Sequence, residues 1–252
     1  MSVINSKKKI SVIIAAGGSA SRFGQKDLTS KQFLLLLGKP LLRYSIEKFI
    51  KIKNVFEIIV VTNNIESTNK LINDFDFKLK IVEGGELRQD SVYKGFCEVD
   101  TSTDLVIIHD VARPLFKIEN LDKCIERAVI TGVAILASPV VDTIKSSISD
   151  KDRLLVKETI DRAGMFLIQT PQVFSYNLLD KVYKKFRTPE YSKRIVTDEA
   201  NMAEILGEEV ELIPGDRTNI KITYQKDLSL AEGILKELNN LDNNIRVKSG
   251  VV

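Results

Sequence analysis

Continuous apolar runs of strand length alternate with amphipathic segments through the first half of the chain. The runs are rich in Val and Ile and occupy residues 10–16, 56–62, 105–109 and 133–137. Strands buried on both faces of a parallel sheet have this composition. The intervening segments carry apolar residues at helical spacing and predict helices after Pro40 and over 65–75, 89–98 and 118–130. This alternation predicts a Rossmann-like, doubly wound, mostly parallel α/β sheet, with ligands at the carboxyl ends of its strands.

The alternation stops after Pro139. Residues 142–160 are polar and contain no glycine, which predicts a projecting two-stranded arm over about 142–162. The helical pattern resumes near Ser175, and a last amphipathic helix is predicted over 228–238. We therefore interpret residues 1–241 as a single domain and residues 242–252 as a polar, frayed C-terminal tail.

Composition narrows the class of partner. The 252 residues include 37 Lys and Arg against 34 Asp and Glu, a formal net charge of +3. A balance so near zero disfavours broad binding to nucleic acid or to a membrane surface. No apolar stretch reaches the roughly 20 residues that a spanning helix needs. The apolar run after Lys7–Lys9 is short, which is more typical of a strand than of a signal peptide, so we expect a cytoplasmic protein.

The rare residues exclude several kinds of site. Two cysteines, Cys97 and Cys124, cannot form a four-cysteine zinc site, and we expect both to be buried thiols of a reducing compartment. A single histidine, His109, excludes a three-histidine metal centre and an HExxH helix. A serine hydrolase triad would have to use His109, and no Gly-x-Ser-x-Gly elbow accompanies it.

A small-residue loop follows the first predicted strand directly. It comprises Ala15, Ala16, Gly17 and Gly18, and it precedes two cations, Arg22 and Lys31. The loop has neither the Gly-x-Gly-x-x-Gly spacing of a dinucleotide site nor the Gly-Lys-Ser/Thr of a Walker loop. Backbone N–H groups and two fixed cations suit a polyphosphate. The loop taken alone is equally consistent with an ordinary strand-to-helix turn that has cations at the surface.

The motifs of the chain resemble those of a known family. The glycine loop, Arg22 and the segment Ser30-Lys31-Gln32-Phe33 are similar to the signature of the polyol-phosphate cytidylyltransferases. Further motifs agree in order, at residues 84–92, 109–114, 142–145, 159–162, 170–172, 197–200 and 219–223. The resemblance covers roughly residues 10–232. It implies transfer of the cytidylyl group from CTP to a polyol phosphate, with release of pyrophosphate and with Mg²⁺ as the cofactor.

The resemblance also implies roles for individual residues. The implied catalytic cations are Arg22, Lys31 and Lys221, and the implied metal ligand is Asp110. The implied nucleotide-binding residues are Ala15, Ala16, Gly17, Gly18, Gly84, Gly85, Glu86, Arg88, Ser91, Asp110 and Val111. The implied polyol-binding residues are Thr143, Arg162, Thr170 and Lys221. Thr143 and Arg162 lie at the two ends of the arm, and in this family such residues reach a neighbouring subunit, which implies a homodimer with arm exchange.

Other interpretations of these residues remain open. Asp110 and Arg113 could form a structural ion pair, Lys221 could be a solvated surface charge, and Glu86, where the family usually has Asp, could be a carboxylate at a helix N-terminus. The arm could instead cap its own sheet in a monomer. The Asp74-Phe75-Asp76 sequence mimics a metal-binding Asp-x-Asp, but it lies at a predicted helix end and is expected to be solvated.

The acceptor substrate is also open between two branches of the family. The spacing from Gly17 to Arg22, Ala20 within it and Val111 depart from the usual pattern, and the loop is similar to that of the ribitol-phosphate branch. Residues 159–162 and 197–200 favour 2-C-methyl-D-erythritol 4-phosphate and non-mevalonate isoprenoid biosynthesis. A non-catalytic nucleotide-binding regulator on the same fold is a third possibility, since fold alone does not determine function.

Overall fold

The apolar runs form a seven-stranded sheet. The computed structural model describes residues 8–18, 30–150 and 152–248, the last eight by their backbone alone. The strands are β1 (Ile10–Ala15), β2 (Leu35–Leu36), β3 (Lys39–Pro40), β4 (Val55–Thr62), β5 (Leu79–Glu83), β6 (Leu105–Asp110), β7 (Val133–Pro139), β8 (Ile144–Asp150), β9 (Arg153–Ile160), β10 (Phe166–Ser175) and β11 (Glu211–Pro214). The central sheet has the order β11-β7-β10-β6-β1-β4-β5, and two small antiparallel pairs, β2-β3 and β8-β9, lie outside it.

The direction of winding reverses beside the first strand. The chain builds β1, β4 and β5 outward in parallel, and then crosses to place β6 on the other side of β1. Ala15 at the end of β1 is the register partner of Asp110 at the end of β6. In doubly wound sheets the crevice at such a switch point is where ligands bind. The predicted fold class is confirmed, with β10 as an antiparallel strand between β6 and β7.

Helices cover both faces of the sheet. They are α1 (Leu41–Ile50), α2 (Ile65–Ile72), α3 (Arg88–Cys97), α4 (Ile118–Thr131), α5 (Tyr176–Phe186), α6 (Glu199–Ile205) and α7 (Gln225–Lys248), with a short 3-10 helix at Lys31–Phe33. Val12 and Ile14 face the core shared with α1 and α4, whereas Ile13 faces the core shared with α3 and α5. All three are fully buried, which explains why the strand is apolar at every position.

The polar stretch forms the predicted two-stranded arm. β8 and β9 pair antiparallel from Ile144↔Ile160 to Asp150↔Arg153. Leu154 is 78% exposed and Val156 is 63% exposed, so the arm buries little of its own apolar surface. Its use in dimerisation stays a prediction.

Several local predictions differ from the structure. The helix predicted over 228–238 extends from Gln225 to Lys248, so much of the expected frayed tail is helical. β10 and β11 lie outside the predicted strands. Cys124 is buried and donates to the carbonyl of Ala134, but the prediction for Cys97 is wrong, because this last residue of α3 is exposed. Within the described part of the chain, no helix is both long enough and apolar enough to cross a membrane.

Candidate active site

A cavity of about 750 Å³ opens at the switch point between β1 and β6. Most residues predicted to bind a nucleotide line it, namely Ala15, Gly17, Gly18, Gly85, Glu86, Arg88, Ser91, Asp110 and Val111, together with the predicted cations Lys31 and Lys221. Ala16 and Gly84 lie just behind this wall: the Ala16 N–H donates to the Val61 carbonyl, and Gly84 donates to that of Thr62. The structure therefore brings together groups that are up to two hundred residues apart in the chain.

Two glycines allow the backbone to pack closely at the wall of the cavity. A Cβ atom at Gly84 would lie 2.3 Å from Oδ1 of Asn63, and one at Gly85 would lie 2.6 Å from Cβ of Asp90. The Gly85 N–H donates to Oγ of Ser91 at 2.9 Å. Any side chain at either position would separate this segment from α3 and from the end of β4. The glycines of this motif thus preserve the shape of the cavity wall.

Asn63 is a cavity residue that the sequence analysis missed. It follows β4 directly, and its Nδ2 donates to the carbonyl of Gly17 at 3.3 Å. Its side chain also packs against Gly84, so it links the loop after β1 to the segment after β5. The signal that could have identified it is its position, because the residue after a parallel strand lies at the ligand-binding edge.

Asp110 lies between two cations. Nε of Arg88 is 3.0 Å from Oδ1 of Asp110, and Nζ of Lys221 is 2.6 Å from Oδ2. Although burial alone would raise the pKa of the Asp110 carboxyl, the charges of Arg88 and Lys221 hold it well below its usual range. The carboxylate is therefore ionised at neutral pH. Arg113, the alternative partner of Asp110, instead donates to the carbonyls of Asn219 and Ile168.

Thr170 and His109 support Asp110 from within the sheet. The hydroxyl of Thr170 accepts the Asp110 N–H at 3.0 Å and lies 3.2 Å from Nδ1 of His109. The imidazole packs edge-on against Phe49 and Phe116. Burial lowers the pKa of His109 to about 3, so the ring is neutral at physiological pH. The single histidine is a buried structural group rather than an acid or base of the site.

The burial of His109 predicts that acid destabilises the protein well above the range in which carboxylates titrate. Below pH 6.5 the histidine of the unfolded chain is protonated, whereas His109 of the folded protein stays neutral down to about pH 3. The free energy of unfolding should therefore decrease as the pH is lowered, by about 1.7 kcal/mol between pH 6.5 and 5 from this residue. Urea unfolding of the metal-free protein, compared with His109→Asn, measures this. Parallel pH profiles for the two proteins would contradict the assignment.

Lys31 approaches the cavity from the 3-10 helix. Its Nζ donates to the carbonyl of Ile222 at 3.2 Å, and its backbone N–H donates to that of Gly18 at 3.3 Å. The next residue, Gln32, is buried, and its side chain donates to the hydroxyls of Thr62 and Thr68. This buried amide anchors the segment that carries Lys31. Arg22, the other predicted cation, lies outside the described residues.

A second, smaller cavity of about 390 Å³ adjoins the first. The two cavities share Arg88, Asp110 and Lys221. Its remaining lining is mostly polar and comprises Arg113, Ile135, Ile168, Gln169, Thr170, Gln172, Thr197, Asp198, Asn201 and Glu204. The cluster of Arg88, Asp110 and Lys221 therefore lies at the boundary between the two cavities.

The ends of the arm do not reach these cavities within one chain. Thr143 and Arg162 are exposed, and neither is among the described residues that line the two cavities. The guanidinium of Arg162 donates to the carbonyl of Val141 at the base of the arm. Asp74 of the Asp-x-Asp sequence forms an ion pair with Arg43, away from the crevice. Among the described residues, no three carboxylate, histidine or cysteine side chains are grouped to hold a metal ion.

The doubly wound sheet, the glycine-lined crevice and its cations define a nucleotide-binding α/β protein. The family model for 2-C-methyl-D-erythritol 4-phosphate cytidylyltransferase matches residues 10–237. A relative of that name from Dictyoglomus thermophilum is 38% identical over 91% of this chain and 98% of its own. The chloroplastic relative from rice is 36% identical over 92% of this chain and 76% of its own. The chain belongs to the 2-C-methyl-D-erythritol 4-phosphate cytidylyltransferase family, and its members are nucleotidyltransferases.

Solved structures agree with this assignment. The 4-diphosphocytidyl-2C-methyl-D-erythritol synthase from Anaerococcus prevotii superposes with a TM-score of 0.76 at 29% identity, covering 91% of this chain and 97% of that one. The 2-C-methyl-D-erythritol 4-phosphate cytidylyltransferase from Thermus thermophilus gives a TM-score of 0.71 at 28% identity, covering 90% and 99%. The family resemblance drawn from the motifs is confirmed.

Proposed function

We propose that this protein joins CTP and 2-C-methyl-D-erythritol 4-phosphate to form the CDP-polyol and pyrophosphate, in non-mevalonate isoprenoid biosynthesis. The observation that carries the proposal is the cluster of Arg88, Asp110 and Lys221 at the boundary between two cavities. The larger, glycine-lined cavity suits the nucleotide. The smaller, polar cavity suits the polyol phosphate. The relatives' names favour methylerythritol phosphate over ribitol phosphate as the acceptor.

The chemistry needs cations more than it needs a base. A phosphate oxygen of the polyol phosphate attacks the α-phosphorus of CTP, and the bond from that phosphorus to the bridging oxygen breaks to release pyrophosphate. The attacking oxygen is already anionic near neutral pH, so no proton has to be removed. Two anions must approach, and charge grows on the leaving group. Lys31, Lys221 and Arg22 are the side chains proposed to offset that charge.

A divalent cation is part of the proposal, with Asp110 as its ligand from the protein. Asp110 is ionised and lies at the edge of the larger cavity. Mg²⁺ is commonly bound through one or two carboxylates together with substrate phosphates and water, so one carboxylate fits this mode of binding. When bound, the cation would neutralise charge on the triphosphate. Arg88 and Lys221 orient the Asp110 oxygens in the protein itself.

The proposed assembly is a homodimer in which each arm serves the site of the other subunit. Thr143 and Arg162 would then reach the partner's smaller cavity and bind the polyol phosphate. The exposed apolar side chains of Leu154 and Val156 favour a covered rather than a solvated arm. A cytoplasmic location also belongs to the proposal, because both cysteine thiols are free, as is typical of a reducing compartment.

The activity is tested by incubating the protein with CTP, Mg²⁺ and 2-C-methyl-D-erythritol 4-phosphate and following pyrophosphate release. We expect release that requires both substrates and stops in excess chelator. ATP in place of CTP, and ribitol 5-phosphate in place of the polyol, are the matched controls and should be poor substrates. Release that persists in chelator, or that proceeds equally well with ATP, would contradict the proposed reaction.

A further inference from the structure

One buried carboxylate beside the cluster has no part in the mechanism above. Glu199, the first residue of α6, is fully buried. Its Oε2 lies 2.9 Å from Nη1 of Arg88, whose Nε faces Asp110 at 3.0 Å. Lys221 completes the chain on the other Asp110 oxygen. Glu199, Arg88, Asp110 and Lys221 thus form a line of alternating charges that runs from the helix layer into the crevice.

The line orders the guanidinium of Arg88. Burial by itself lowers the pKa of Arg88, yet Glu199 and Asp110 together raise it above its usual value, so Arg88 is fully charged. Burial raises the pKa of the Glu199 carboxyl, and the charge of Arg88 opposes that rise. A guanidinium has two edges that can each bind a carboxylate with paired N–H groups. Arg88 uses Nη1 for Glu199 and gives Asp110 a single bond from Nε. The two carboxylates, one on α6 and one on β6, therefore hold the guanidinium in a fixed orientation.

We propose that Glu199 is a positioning residue for the transfer reaction, which acts by holding the Arg88 guanidinium against Oδ1 of Asp110 and so leaves Oδ2 to Lys221. This inference rests on the proposed function, since it assumes that Asp110 and Lys221 act on the substrates. Glu199 is not among the described residues that line either cavity, whereas Arg88 lines both. Its influence must therefore pass through Arg88.

The first test is Glu199→Gln, which preserves size and removes the charge. Arg88 then loses one of its two carboxylate partners and is free to rotate, and misplacing a group in a site by about 1 Å can cost up to about 100-fold. We expect kcat to fall at least about tenfold, a change of about 1.4 kcal/mol in the activation free energy. KM for CTP should stay constant or decrease, because a negative charge has been removed near a polyanion. A general loosening of the fold would instead raise KM.

Glu57→Gln is the matched control. Glu57 is also fully buried and forms ion pairs with two lysines, Lys78 and Lys80. These residues lie near the amino ends of β4 and β5, away from the carboxyl ends that form the crevice. Its replacement should lower the melting temperature while kcat and both KM values remain those of the wild type. This control separates the loss of a buried ion pair from the loss of positioning.

A double-variant cycle tests the route through Arg88. If Glu199 acts through Arg88, the pair Glu199→Gln with Arg88→Gln should have a kcat within about twofold of Arg88→Gln alone. The pair removes both buried charges, so it also provides a folded protein if the single Glu199 variant is unstable. Multiplied losses, or a folded Glu199→Gln with the wild-type kcat, would overturn the inference. A wild-type chain that releases no pyrophosphate is a different result, which overturns the proposed function instead.

Discussion

Replacing Lys31 with alanine is expected to lower kcat about 100-fold, a loss of about 3 kcal/mol of transition-state stabilisation. Lys31 lines the cavity together with Gly17 and Gly18, where the triphosphate is proposed to bind. Negative charge increases there only as the leaving group departs. KM for CTP should therefore change far less than kcat. Steady-state pyrophosphate release measures both quantities.

Lys48→Ala is the control for this substitution. Lys48 is likewise half-buried and donates to a backbone carbonyl, that of Phe116, but it lies away from both cavities. Its loss should reduce stability and leave kcat unchanged. Wild-type turnover by Lys31→Ala would remove that residue from the catalytic machinery. Arg22→Ala carries the same expectation as Lys31→Ala.

Mixing an Arg162→Ala chain with a Lys31→Ala chain should restore activity that neither variant has alone. In the proposed homodimer, Arg162 of one subunit would complete the site that holds Lys31 of the other. A heterodimer of the two variants therefore contains one intact site and one doubly altered site. With random exchange of subunits, at most about a quarter of the wild-type activity should return in a two-fold symmetric dimer.

Differently tagged copies verify that subunits exchange in this experiment. Arg153→Ala is the matched control, because this arginine is on the same arm but forms an ion pair with Asp150 at its tip. It should keep its activity without any partner. Arg162→Lys should not substitute for the wild type, since an ammonium cannot reproduce a planar pair of donors. If exchange is verified and no activity returns, each arm serves its own subunit.

The central strands were predictable because a strand that is buried on both faces of a sheet is apolar at nearly every position. β1, β4 and β6 are buried at nearly every position, so their apolar runs identify them. β10 was missed because its centre contains Gln169, Thr170 and Gln172, polar residues that face the site and interrupt the apolar pattern. The polar residues that β10 contributes to the smaller cavity therefore obscure its strand pattern in the sequence.

The sequence motifs identified individual residues of the site but not the contacts between them. The cavity does bring together Lys31, Asp110 and Lys221, as the resemblance implied. The links between these residues were not visible, because they depend on pairings across the fold. Asn63 bridges two loops, and Glu199 reaches Arg88 from another layer of the protein. Neither contact leaves a spacing or a repeat in the sequence.

The way in which the arm is attached makes its length independent of the central sheet. Pro139, the last residue of β7, is the register partner of Phe166, the first residue of β10, so the chain leaves the sheet and returns to it at one point. Insertions or replacements between these residues leave the strand order unchanged. The arm can therefore be lengthened or shortened while the strands that form the crevice keep their register.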